Sequence, residues 1–413
     1  MQFSIRFALL VIFAGGVLLW TVFLLNRGSE LVAISPLRVE NDDSNRHPSD
    51  SVFKRHFSVE GIQCSPFFEA SRNYPTRIKL NASEPLRTDC LSIFGRHHFS
   101  ATALSEEEAR FPVAFARVVY KDYYLLEQML AVQYAPQNTF CFAVDRKSPN
   151  ELKTSLRNLA HCFDNVFILA EEFDLDSLGH NMNRAHWECV KAARNASWKY
   201  VFLLQNHDIP LKTNLETVRV LKILNGTNDV ESERFPEYSR ISENVTFESL
   251  GLFKNGSFNS KERLRLAKGG VQSAFSREAV DFILQKLNIE NLIDELNRRD
   301  QFVDEIFAAT LNTDPRIALP GGRSETFNGQ KIGQITKHAL WFDATRCRSK
   351  MMRHSVCVFG TEDLSEVAKA PQLFLNKMLP EFDFLAISCL AELVHNRSVD
   401  GVSSLDPSLF STL

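Results

Sequence analysis

FPVAFARVVYKDYYLLEQMLAVQYAPQNTFCFAVDRKSPNELKTSLRNLAHCFDNVFIL, residues 111–169, sets three short apolar runs apart with two segments of helical period. The runs VAFARVVY (113–120), TFCFAVD (139–145) and NVFIL (165–169) are too short for helices and almost wholly apolar, so they read as strands buried on both faces. Between the first two, Asp122 precedes Leu125, Leu126, Met129 and Leu130, which recur at helical spacing, and Asp122 is expected to cap that helix. Between the second and third, Ser148-Pro149-Asn150-Glu151 reads as a capping box with proline at the first helical position, followed by Leu152, Leu156 and Leu159. Repetition of strand, helix and strand predicts an α/β fold of parallel strands joined by right-handed crossovers, with helices on both faces of the sheet. Ligands of such a sheet bind beyond the carboxyl ends of its strands.

Downstream, YVFLLQ (200–205) repeats the strand pattern and runs into Asn206-His207-Asp208-Ile209-Pro210, where Pro210 stops the strand and Asp208 can bond nearby backbone amides. Residues 225–262 are polar and aperiodic and read as a long surface excursion. The segment 338–395 carries three cysteines and an apolar, helix-like stretch expected to pack back on the sheet. Upstream, Phe7 to Leu25 form an unbroken apolar run, long enough at about 1.5 Å per residue to span the ~30 Å hydrocarbon core of a bilayer. The run exceeds the apolar stretch of a signal peptide, and no small-residue cleavage site closes it. The expected organisation is a cytoplasmic tail at 1–6, a transmembrane signal anchor at 7–25, a polar stem at 26–60, a catalytic body at 61–400 and a tail at 401–413.

Arg6 and Arg27 flank the apolar run almost symmetrically, so charge alone does not orient it. Eight cysteines do: Cys64, Cys90, Cys141, Cys162, Cys189, Cys347, Cys357 and Cys389 are even in number and lack the CxxC spacing of a structural zinc site. They agree with six N-x-S/T sequons, at Asn81, Asn195, Asn225, Asn244, Asn255 and Asn396, in placing the body in a disulfide-forming lumen. Basic and acidic residues number 47 and 50, with no long basic run, which argues against a nucleic-acid partner.

Several residues invite chemistry. Asp145 ends its strand where a carboxylate projects into the crevice, and reads equally as a nucleotide contact or as part of the turn into the next helix. His207 is an isolated turn histidine, more often a hydrogen-bonding residue than an acid or base. Asp174-Leu175-Asp176 has the form by which nucleotide-sugar enzymes hold a divalent cation, yet Asp176 before a helical stretch is also a cap. In RRDQFVDEIFAATLN (298–312), Asp304 and Glu305 fall within an apolar helical pattern; neighbours on a helix diverge by about 100°, so they cannot act as a facing pair, and one is expected at a cleft. Cys347 and Cys357 bracket Arg348, Lys350, Arg353 and His354, which can hold a diphosphate or form a solvated basic loop.

In order along the chain, FPVAFARVVYKD, CFAVDRK, WKYVFLLQNHDIPLKTN, DEIFAATL, SVCVFGTEDL and NKM resemble the core-2/I-branching β-1,6-N-acetylglucosaminyltransferase family, over about residues 60–395. The resemblance implies a GT-A-type, Rossmann-like mixed sheet, UDP-N-acetylglucosamine as donor, a glycan or glycoprotein acceptor, and inverting transfer without a metal ion or other cofactor. It makes Glu305 the general base on the acceptor hydroxyl, with Val303 where the family has proline. Lys377 matches the family lysine on the diphosphate. The family arginine immediately precedes S-V-C, where this chain has His354, and Arg353, one position earlier, is taken in its place. Asp145 matches the aspartate near the uridine, and the carboxylates of Asp174 and Asp176 then fall to capping or surface roles. Glu231 matches an acceptor-binding glutamate, with Arg234 beside it. His338 and Leu340 stand where acceptor-side tryptophan and tyrosine are expected, with Trp341 as a substitute. The family pairs Cys64 with Cys389, Cys90 with Cys162, Cys141 with Cys189 and Cys347 with Cys357, and its free cysteine is Gln205 here. The resemblance also implies a type II Golgi membrane protein. The rival readings are a peptide O-xylosyltransferase-like enzyme and a catalytically degenerate glycan-binding protein.

Overall fold

The computed structural model of the protein describes residues 52–69, 76–80, 86–235, 245–343, 345–403 and 405–410. The apolar run at 7–25, the tail before it and the sequons Asn81 and Asn244 lie outside the described residues. Among the described residues no helix is long and apolar enough to cross a membrane.

With helices shorter than seven residues left unlabelled, the chain runs α1 (Cys90–Arg96), β1 (Val113–Val119), α2 (Tyr123–Gln133), β2 (Thr139–Asp145), α3 (Asn150–His161), β3 (Val166–Phe173), α4 (Met182–Ala192) and β4 (Tyr200–Gln205). It continues through β5 (Ile209–Pro210), α5 (Asn214–Leu224), β6 (Glu233–Arg234), β7 (Ala267–Lys268), β8 (Ser273–Ser276), α6 (Arg277–Lys286), α7 (Ile289–Asn297) and α8 (Phe307–Thr313). The last elements are β9 (Lys337–His338), β10 (Met352–Arg353), β11 (Val356–Cys357), β12 (Phe374–Leu375) and α9 (Pro380–Asp400).

The main sheet has the order β3-β2-β1-β4-β8. β1 to β4 run parallel and β8 antiparallel, a mixed sheet as expected. Alternation along each strand sends its residues to two different cores. Ala114, Ala116, Val118, Cys141, Ala143, Val201 and Leu203 face Trp187 of α4, Ile283 of α6, Leu292 of α7 and Phe307 of α8. Val113, Phe115, Val119, Phe140, Phe142, Phe202 and Leu204 face Leu126 and Leu130 of α2, Leu156 of α3 and Leu221 of α5. Because both faces are covered, the strands read as continuous apolar runs. A third core joins α2 to α9 and the 359–378 segment through Met129, Phe359, Leu375, Phe384 and Leu390.

Four disulfides brace this frame: Cys64–Cys389, Cys90–Cys162, Cys141–Cys189 and Cys347–Cys357. These are the pairings the resemblance implied.

Several local expectations change. Asp122 flanks α2 but does not cap it; its backbone is left-handed and its carboxylate turns to His207. Pro149, not Ser148, holds the N-cap position of α3, and the Ser148 hydroxyl donates to the Tyr120 carbonyl at the end of β1. Pro210 does not end extended structure: Ile209 and Pro210 pair with β12. β3 reaches past Leu169 to Phe173, since an edge strand tolerates Glu171 and Glu172. The excursion at 225–262 is partly core, with Val245, Phe247, Leu250 and Leu252 buried on the α6 and α7 side. Asp304 and Glu305 precede α8, in a turn rather than within a helix.

Candidate active site

β1 leads to β2 and β3 on one side, and the chain then returns to place β4 on the other. The crevice of such a sheet opens where the order reverses, beyond the carboxyl ends of β1 and β4. There the Asn206 side-chain oxygen accepts the Tyr120 and Lys121 backbone N–H groups at 2.8 and 3.1 Å, locking the two strand ends together. His207 lies 2.7 Å from Asp122, and burial lowers its pKa despite the opposing carboxylate. The residue is a buried hydrogen-bonding histidine, as an isolated turn histidine more often is. Tyr120, 39% exposed, stands above it.

Asp145 is buried at the end of β2, where its carboxylate accepts the Lys147 N–H at 3.1 Å and lies 3.5 Å from Lys147 Nζ. Lys147 also pairs with Asp174, while Asp176 accepts the Leu178 and His180 N–H groups and lies 2.6 Å from His180 Nδ1. The two carboxylates of the D-x-D therefore serve different local partners. Among the described residues no group of three or more His, Cys, Asp or Glu side chains is gathered to hold a metal ion.

On the far side of the crevice, Glu305 lies two residues before α8 with its Oε2 3.1 Å from Lys268 Nζ. Its carbonyl accepts the Gly269 N–H at 2.8 Å. The Gly269-Gly270 pair packs against Glu231: a Cβ on Gly269 would stand 1.7 Å from the Glu231 carbonyl oxygen, and one on Gly270 would stand 3.0 Å from its carboxylate and 3.2 Å from Lys337 Nζ. Only glycine lets Glu231, Lys337 and the Glu305 turn crowd one loop. Glu231 is itself paired with Lys331 at 2.6 Å. Arg234, exposed on β6, has its guanidinium against Gly329.

Asp208 holds the floor. Fully buried, it accepts the Gln205 N–H at 2.6 Å, the Gln272 amide at 3.2 Å and the Asn376 amide at 2.8 Å. Buried Arg117 donates to the Gln205 and Asp208 carbonyls, its pKa lowered by burial to about 10. Through Asn376 this network positions the next residue, Lys377; through Gln272 it holds Lys337, which donates to the Gln272 side chain at 2.8 Å. Lys377 is half-buried, and its pKa is held down first by burial and then by the nearby charge of Arg353, with Lys337 adding to the repulsion. Arg353, on β10, reaches Glu381 at 3.2 Å. Lys377, Arg353 and Lys337 thus share one neighbourhood, an arrangement that suits a multiply charged anion.

Trp341, 45% exposed, lies with its ring centroid 5.7 Å from Lys337 Nζ and borders the same space. His338 instead packs toward Phe359 and Leu340 toward the third core. Sequence reasoning missed Lys337, Gln272, Lys268 and the Gly269-Gly270 pair. The doubled glycine before a strand was the one visible signal.

The profile of the Core-2/I-Branching enzyme family matches residues 113–368. A human β-1,3-galactosyl-O-glycosyl-glycoprotein β-1,6-N-acetylglucosaminyltransferase is 30% identical over 407 residues, covering 90% of this chain and 93% of that protein. The bovine protein of that name is 31% identical over 326 residues, 76% of each chain. A human N-acetyllactosaminide β-1,6-N-acetylglucosaminyl-transferase is 28% identical over 348 residues, covering 81% of this chain and 84% of that protein.

Proposed function

Since this chain belongs to the core-2/I-branching enzyme family and is a glycosyltransferase, we propose that it transfers N-acetylglucosamine from UDP-N-acetylglucosamine to the 6-hydroxyl of a galactose-containing glycan, with inversion and without a metal ion. What supports the reading is that Glu305 keeps a partly exposed carboxylate beside Lys268, while Lys377 feels the charge of Arg353 and of Lys337, whose Nζ lies against Gly270 of the loop that packs on Glu305. The uridine lies toward Asp145, and the diphosphate lies against Lys377 and Arg353, the latter turning to it from Glu381. Glu305 accepts the proton of the acceptor 6-hydroxyl as that oxygen bonds to the anomeric carbon. The bond from that carbon to the UDP oxygen breaks on the opposite face, and the charge that builds on the diphosphate is stabilised by the two cations. Lys268 keeps the Glu305 carboxylate aimed. Glu231, across Gly269-Gly270 from Glu305, holds an acceptor hydroxyl, and Trp341 offers a ring to a sugar face. The acceptor class follows the printed names of the relatives, which act on galactosyl-O-glycosyl glycoproteins and on N-acetyllactosaminide. With the anchor at 7–25, the enzyme is a type II protein of the Golgi membrane with this body in the lumen.

Glu305→Gln removes the base while keeping the shape of the side chain. Transfer should fall by about a hundredfold or more, while UDP binding by calorimetry stays within a factor of about two. Near-normal turnover in the variant overturns the assignment of the base, and absence of UDP binding in the parent overturns the donor. Running the parent with UDP-xylose and with a chelator tests the donor sugar and the metal-free mechanism in the same assay.

A further inference from the structure

At the opposite end of the sheet, an open cavity of about 510 Å³ lies beside the start of β4, and the functional reading makes no use of it. Phe111, Tyr200 and Pro320 supply apolar surface to it, and Lys199, Lys222 and Glu278 supply charge. The Phe111 and Tyr200 rings are stacked, with centroids 6.4 Å apart. Asn225, the acceptor asparagine of Asn225-Gly226-Thr227, lines the same cavity. It is exposed, and among the described residues its side-chain amide makes no hydrogen bond.

The backbone of the sequon is held rigidly. Asn225 closes α5 in a left-handed conformation with its N–H on the Leu221 carbonyl. The Gly226 N–H donates to the Tyr200 hydroxyl at 2.7 Å, and that hydroxyl donates to the Thr227 carbonyl at 3.2 Å. The Gly226 carbonyl lies so close to Gly321 that a Cβ there would stand 2.0 Å from it. A group attached to Asn225 therefore leaves from a fixed root on the cavity wall.

We infer that an N-linked glycan on Asn225 folds back into this cavity, its first sugars lying against Phe111 and Pro320 with their polar groups toward Lys199, Lys222 and Glu278. The inference rests on the lumenal placement proposed above. In the linkage, the Asn225 amide nitrogen loses a proton and bonds to the anomeric carbon of the first sugar. A lipid-linked pyrophosphoryl oligosaccharide is the co-reactant, and its lipid pyrophosphate departs. A pyranose ring has apolar C–H faces and a polar rim, which suits a site with an aromatic wall and charged edges. Covalent tethering supplies a high effective concentration, so contacts too weak to bind a free sugar suffice. Asn195, Asn255 and Asn396, also exposed, do not line this cavity.

The test uses the full chain made in a eukaryotic secretory host. Glycopeptide mass spectrometry reads occupancy, and hydrogen exchange is compared before and after an endoglycosidase trims each glycan to one sugar. The expected result is an occupied Asn225, with amides of 222–227 and of Gly321 and Gly322 exchanging on the order of tenfold faster after trimming and those around Asn195 and Asn396 unchanged. Thr227→Ala, which removes the sequon, should lower Tm by roughly 2 °C or more relative to Thr227→Ser, which keeps it. An occupied Asn225 whose neighbours do not respond to trimming overturns the inference, as does a bare Asn225 on a chain glycosylated elsewhere. A chain bare at all sequons overturns the lumenal placement itself.

Discussion

Asp304 and Glu305 are neighbours with different fates. The Asp304 carboxylate rests on Gly179, whose positive φ of 91° and missing side chain make room for it: a Cβ there would stand 2.2 Å from the Asp304 Cγ. Burial, then the adjacent Glu305 charge, push the Asp304 pKa up to about 7, with Asp176 adding to the repulsion and Lys337 opposing it. In the unfolded chain the same carboxyl titrates near its ordinary value of about 3.9. Between those two values the folded state holds a proton that the unfolded state has lost, so this residue makes stability fall as pH rises. Asp304→Asn removes the penalty. The Tm of the variant should gain on the parent between pH 5 and pH 8, and a difference that stays constant across that range would show that the carboxyl titrates normally. The sequence put one of the two acidic residues at a cleft, and the resemblance picked Glu305, but neither said that Asp304 would be desolvated. Gly179 is 125 positions from Asp304, and nothing in the local pattern joins them.

At the scale of elements, the hairpin of β10 and β11 carries Arg353 into the crevice, and Cys347–Cys357 closes its base. A cross-link over so short a loop contributes on the order of 2–3 kcal/mol by limiting the unfolded chain. Replacing both cysteines with serine should lower Tm, raise the KM for the nucleotide sugar severalfold and lower kcat as well, since the hairpin no longer presents Arg353 in one place to the donor or to the charge that builds on it. An unchanged KM would mean that Arg353 has no part in donor binding. The alternation of apolar runs and amphipathic segments identified β1, α2, β2, α3 and β4 closely, because a strand covered on both faces must be apolar throughout. It failed where a side chain was claimed by a distant partner. Asp122 and Ser148 have the chemistry of caps, yet His207 and the Tyr120 carbonyl take them instead. Likewise Val245, Phe247, Leu250 and Leu252 are too scattered among polar residues to announce a buried segment, and only the α6 and α7 surface makes them core.

For the whole molecule, the sheet is the common wall of two cores, so damage to its centre should spread to both. Phe202 on β4 is fully buried, with its ring 5.3 Å from Phe374 of the segment that carries Lys377. Phe202→Ala should cost about 3–5 kcal/mol, read as a shift of the denaturation midpoint with little change in slope. A loss below about 1 kcal/mol would show that the site collapses to refill the void. Sequence by itself determined the α/β class, the order of the parallel strands' helical crossovers, the cysteine pairs through the resemblance, and the identity of Glu305, Lys377 and Asp145 as residues to watch. Those readings work because burial demands runs and periods of apolar residues, which are local in the chain. Tertiary structure alone decided that Lys337 and Gln272 join the Asp208 network, that Gly269-Gly270 lets Glu231 and the Glu305 turn meet, that the Arg234 guanidinium lies against Gly329, and that Asp208 is a buried anchor for the Lys377 segment. Hydrogen bonds and ion pairs are short-ranged and do not depend on sequence separation, so their partners are set only once the folded chain has brought distant residues within about 3 Å.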